Sequence, residues 1–128
     1  RWCSEQHIGG DTAGERNVIS GNGSDGVRIS GSSTTGNTVS GNRIGTNASG
    51  TAVLGNGGYG VYVGEGAHNN AIGGDTDGER NVISGNASGI IVWHTGTDLT
   101  TIAGNIIDFA PGAVPSLRRP EPVEGVRT

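Results

Sequence analysis

Short runs of β-branched residues recur along this chain between turns built from Gly, Asn and Ser, and they fall into three families. One reads Gly-apolar-x-apolar: Gly26-Val27-Arg28-Ile29, Gly60-Val61-Tyr62-Val63 and Gly89-Ile90-Ile91-Val92. These form sheet A. A second places an aliphatic before a small residue and Gly: Gln6-His7-Ile8-Gly9-Gly10, Asn37-Thr38-Val39-Ser40-Gly41, Asn70-Ala71-Ile72-Gly73-Gly74 and Thr100-Thr101-Ile102-Ala103-Gly104. These form sheet B. The third reads Asn-x-Ile: Asn17-Val18-Ile19, Asn42-Arg43-Ile44, Asn81-Val82-Ile83 and Asn105-Ile106-Ile107. These form sheet C. Along the chain the order is B, C, A throughout, ending on B and C.

Three strands per turn in constant order predict a coil with three parallel sheets. Parallel neighbours cannot be joined by a hairpin, so each strand must pair with its equivalent one turn away, at roughly 4.8 Å. Strand alternation then sorts the faces. Inward go Val27, Ile29, Val61, Val63, Ile90 and Val92 from sheet A, Ile8, Val39, Ile72 and Ile102 from sheet B, and Ile19, Ile44, Ile83 and Ile107 from sheet C. Outward go Arg28, Tyr62, His7, Thr38 and Arg43, the mix of a solvated face, and also Ile91 from sheet A and Val18, Val82 and Ile106 from sheet C.

A longer repeat overlies this one. Residues 8–22 read IGGDTAGERNVISGN and residues 72–86 read IGGDTDGERNVISGN, differing only at Ala13 and Asp77. The offset of 64 residues (Ile72 minus Ile8) exceeds one turn of any solenoid. Unequal connections resolve it. The B-to-C link is long after Ile8 and Ile72 and short after Val39, whereas the C-to-A link is long after Ile44 and short after Ile19 and Ile83. Two unequal turns make one repeat.

The column Asn17, Asn42, Asn81 and Asn105 follows from the same register. Amides both donate and accept, so a stack one turn apart is expected to bond along its length. The turn glycines Gly10, Gly41, Gly74 and Gly104 suit positive φ.

Composition changes this picture little. The chain has 128 residues, 26 of them Gly, with 31% hydrophobic residues and few aromatics, which fits thin turns better than a broad globular core. A net charge of −4 with dispersed carboxylates leaves neither a nucleic-acid footprint nor a basic membrane stripe. No apolar run is long enough to insert in a bilayer. The single Cys3 has no internal disulfide partner. All four prolines fall after Asp108, so residues 1–108 are expected to be a β-helix and residues 109–128 an irregular or disordered tail. Neither end shows a polar capping turn, so neighbouring rungs of a longer parent chain are expected.

The recurring N-x-I-x-G-N and G-V-x-I phrases over residues 6–108 resemble the right-handed parallel β-helix proteins, the pectin-lyase-like superfamily and its NosD-like repeats in secreted bacterial surface proteins. The resemblance implies an all-β, right-handed, single-stranded solenoid of about 3–4 rungs and an extracellular or cell-surface setting. For activity it implies less, since fold does not carry function.

Enzymes of that superfamily work on the exposed face of one sheet, with a basic residue and calcium-holding carboxylates or with paired carboxylates. No outward column here presents such a pair, and no catalytic residue is assigned. The leading expectation is a noncatalytic, adhesin-like repeat region. Its alternatives are a fragment of a polysaccharide lyase or glycoside hydrolase with catalytic rungs elsewhere, and an ion-linked module. For the last, Asp75, Asp77 and Glu79 space oxygen ligands about Gly78, as calcium loops do. The twin loop carries Ala13 in the middle place, which favours an exposed turn over weak calcium binding. If the chain binds a partner, the expected one is a polysaccharide or cell-surface glycan, held across sheet A by Arg28, Tyr62 and Trp93.

Overall fold

The computed structural model describes residues 5–107. The expected tail at 109–128 and Cys3 lie outside the described residues. Eleven strands follow one another: β1 (His7–Gly9), β2 (Val18–Ile19), β3 (Val27–Ser30), β4 (Thr38–Ser40), β5 (Arg43–Ile44), β6 (Tyr59–Gly64), β7 (Ala71–Gly73), β8 (Val82–Ile83), β9 (Ser88–Val92), β10 (Thr101–Ala103) and β11 (Ile106–Ile107). They make three sheets, ordered β1-β4-β7-β10, β2-β5-β8-β11 and β3-β6-β9. Every pairing is parallel. The chain is therefore a β-solenoid of three turns with sheets B and C continuing into a fourth.

The register matches the expected columns. Ile19 faces Ile44, Ile44 faces Ile83, and Ile83 faces Ile107. Val27, Val61 and Ile90 align in sheet A, and Ile8, Val39, Ile72 and Ile102 in sheet B. The core gathers Val27, Ile29, Val39, Ile44, Val61, Val63, Ile72 and Ile83, with Ile8, Ile19 and Ile90 packed against it. Each such burial stabilises by about 1.5–3 kcal/mol, so a turn is held by its neighbours and not by itself. One core member, Ala67, comes from the link after β6, where the strand pattern gave no signal.

Several faces differ from expectation. Val92, Ile102 and Ile107 keep their inward register but are 38–43% exposed, because no described strand stacks beyond β9, β10 and β11. Conversely, four residues expected to point outward are buried: Tyr62, Arg43, Val82 and Ile106 are all at most 8% exposed. Long connections cover sheet C. A hairpin-like excursion after β5 closes through an antiparallel bridge between Thr46 and Val53, and the Ala48 carbonyl accepts from Arg43 Nη1 at 2.9 Å. The B-to-C links carry short 3₁₀ turns at Ala13–Glu15 and Asp77–Glu79. From their ends Arg16 and Arg80 reach to the next turn, donating from Nε to the carbonyls of Gly41 and Gly104.

The glycine expectation is corrected in part. Gly41 and Gly104 have positive φ, but in the two long links it is Gly9 and Gly73, at +95° and +91°, rather than Gly10 and Gly74. A Cβ on Gly73 would meet the Asn105 amide at 2.7 Å, so the bare backbone makes room for the asparagine of the next turn.

Candidate functional site

The asparagines ahead of the sheet C strands bond from rung to rung. Asn17, Asn42 and Asn81 each donate from both backbone N and Nδ2 to the Oδ1 of the next asparagine, at 2.8–3.3 Å, ending on Asn105. The spare Nδ2 hydrogens of Asn42, Asn81 and Asn105 go to the carbonyls of Ile8, Val39 and Ile72. Asn42 and Asn81 thereby tie their own rung both to the one before and to the one after.

Two more ladders go beyond that column, one of them opening the sheet B phrases at Asn37 and Asn70. Asn22, Asn56 and Asn86 repeat the arrangement at the C-to-A corner, and Asn37 and Asn70 at the A-to-B corner. All three corners are thus laced. Where the third ladder would reach the fourth turn stands Thr100, whose buried Oγ1 has no partner among the described residues.

On sheet A the structure brings Arg28 and Tyr62 together. The guanidinium lies over the tyrosine ring at 4.1 Å, a cation–π contact, because β3 and β6 pair Arg28 with Tyr62. Arg28 is also held by Asp25 and Glu65, each at 3.1 Å. Asp25 is itself anchored, accepting the Tyr59 amide at 2.8 Å. The tyrosine ring lies along its own strand over Gly64, whose lack of a side chain leaves it room. Its hydroxyl meets His94 Nδ1 at 3.2 Å. That nitrogen also receives the Glu65 N–H at 3.2 Å, so Nδ1 is an acceptor and the ring proton sits on Nε2.

Trp93 stands apart from this cluster, 56% exposed and edge-on to His94 at 5.6 Å. The expected platform is therefore divided. Tyr62 offers no open ring face, since Arg28 occupies it; Trp93 does. Asp25 and Glu65, which order the flank with His94, carried no sequence signal beyond their polarity, because each acts from a link and not from a strand column.

The acidic loops are also arranged from within. Glu79 Oε1 accepts the Thr76 amide while the Thr76 hydroxyl accepts the Glu79 amide, a capping box. Glu15 Oε1 takes the amides of Asp11 and Thr12 and the Thr12 hydroxyl. Asp77 pairs with Arg80 at 3.1 Å. Among the described residues no three His, Cys, Asp or Glu side chains are gathered as a metal site, and Asp75, Asp77 and Glu79 do not converge.

Compared with protein-family models, curated proteins and solved structures, the chain matches none, and its functional reading rests on its own residues.

Proposed function

We propose that this chain is a noncatalytic, rod-forming repeat region of a secreted or cell-surface protein, adhesin-like, with one flank for glycan. The observation that supports the scaffold part is the trio of asparagine ladders, one at each corner. Amides bonded rung to rung resist shear and fraying between turns whose apolar interior is thin. The pectin-lyase-like and NosD-like resemblance of the repeat phrases favours the same setting.

For the glycan part, Trp93 supplies an exposed ring for a sugar face, and Arg28, half-exposed over Tyr62 two turns away on the same sheet, supplies a cation. The calcium reading has no gathered ligands behind it and stays the minor one. The test is incubation of the chain with acidic and neutral polysaccharides. Retention without release of reducing ends or unsaturated sugars is the expected result, and Trp93→Ala should abolish the retention. Release of shortened chains would replace this reading with a hydrolase or lyase.

A further inference from the structure

The long B-to-C links bring three cations to one place. Arg16 leaves the first link, Arg43 stands on β5, and Arg80 leaves the second link; with Gly41, Asn42, Asp77 and Val82 they line a cavity of about 150 Å³. Ligand pockets for whole small molecules run to roughly 300–1,000 Å³, so this one suits a single charged group.

The three arginines are fixed differently. Arg16 and Arg80 are each pinned through Nε to a backbone carbonyl and both line the cavity; Arg80 also gives Nη2 to Asp77, whereas the terminal nitrogens of Arg16 have no hydrogen-bond acceptor among the described residues. Arg43 is only 8% exposed and holds one protein acceptor, the Ala48 carbonyl. Burial pushes its guanidinium below the ordinary arginine range, and the nearby Arg16 charge pushes it further the same way. Against three cations stands one carboxylate, Asp77, paired with Arg80 and itself 95% exposed. Glu15 and Glu79 turn away into their own loops. Among the described residues neither Arg16 nor Arg43 has an ion-pair partner.

A buried charge without a counterion is costly, and arginine forks match oxyanion geometry. We infer that the outward face of sheet C is an oxyanion-binding site, taking a tetrahedral group with about two negative charges between Arg16, Arg43 and Arg80. The charges fit: three cations and Asp77 sum to +2. Inorganic sulfate or phosphate and a phosphomonoester on a larger molecule share this chemistry. The site lies on a different sheet from the proposed glycan flank and does not depend on it.

The repeat supplies its own variants. Asp77 competes with the anion for Arg80, and the twin loop shows that Ala is accepted there, as Ala13. The experiment is calorimetric titration with sodium sulfate, phosphate and a hexose 6-phosphate, with sodium acetate as the planar monoanion, at constant ionic strength. The expected result is sulfate and phosphate binding that exceeds acetate, weakens about tenfold in Arg16→Gln, weakens in Ala13→Asp and tightens in Asp77→Ala. Arg16 is exposed, so its loss leaves the core untouched and no folding defect obscures the reading. Hexose phosphate binding as tightly as phosphate would mark a phosphomonoester as the occupant; its exclusion would mark the free anion. Absence of sulfate and phosphate binding, or binding unchanged in Arg16→Gln, would overturn the site.

Discussion

The two copies of the repeat, residues 8–22 and 72–86, differ at one position and live in different surroundings. In the second copy Ile72 and Ile83 are fully buried, Asn81 is fully buried, and Val82 is 5% exposed. In the first copy Ile8 and Ile19 are half-buried, Asn17 is exposed, and Val18 is 42% exposed. The strands explain it. β7 and β8 lie between two neighbours in their sheets, whereas β1 and β2 each pair on one side only. Identical local sequence therefore folds to the same backbone and earns unequal stability, because in a solenoid most of the free energy resides in the interface between turns.

The largest break of this comparison comes from the shared isoleucine. Ile83→Ala removes a fully buried side chain and should cost about 2–5 kcal/mol, whereas Ile19→Ala should cost less than half of that. Denaturant midpoints would show the gap; equal shifts would mean that the turns do not stabilise one another as described.

Next come the asparagines. Asn81→Ala strips the Asn42 amide of its acceptor and the Val39 carbonyl of its donor, both away from water, for about 1–3 kcal/mol each. Asn17→Ala in the exposed turn removes only the side-chain Nδ2 donor, the backbone N–H still reaching Asn42 Oδ1, and should cost under about 1.5 kcal/mol. Hydrogen exchange at the Asn42 amide, accelerated in Asn81→Ala but not in Asn17→Ala, would check the direction of the ladder.

A gain is expected at Thr100. Asn there would place an acceptor under Asn70 and carry the third ladder into the fourth turn, worth about 0.5–1.5 kcal/mol in thermal or chemical melts. Unchanged or lowered stability would show that an amide at this corner adds nothing to the fourth turn.

The smallest effect concerns the single difference between the copies. Ala13→Asp offers Arg16 the partner that Asp77 gives Arg80 in its own loop, but an exposed pair contributes under about 1 kcal/mol. A melt shifted by more than that would mean the loops carry more of the stability than the columns.

The strand columns were legible because Val and Ile mark inward slots at fixed distances from Gly and Asn. The first ladder was legible because each of its asparagines stands immediately before a sheet C strand. The second was not: Asn22 and Asn86 lie three residues past the strand isoleucine, while Asn56 lies twelve past Ile44, beyond the Thr46–Val53 excursion. Spacing hides what space restores. The same cause hid the burial of Arg43 and Val82, since links of irregular sequence cover them. Tyr62 reads as an outward residue and is one; its burial comes from Arg28 one turn away and from the link bearing His94.

Gly41 sits in the short turn between the two long links. A Cβ there would run into the Gly10 carbonyl on one side and lie 2.8 Å from that of Gly78 on the other. Past it the long links touch, for Gly78 itself presses on the Asp11 carbonyl. Long links thus alternate with short ones as a condition of fit. The heritable unit of this solenoid is accordingly a pair of turns. A gene encoding it can be lengthened or shortened in frame by unequal crossing-over between copies 64 residues apart, and the product keeps every neighbour it needs. Gain or loss of a single turn would set long link against long link and be lost to misfolding, so lineages of such solenoids should differ in length by whole pairs.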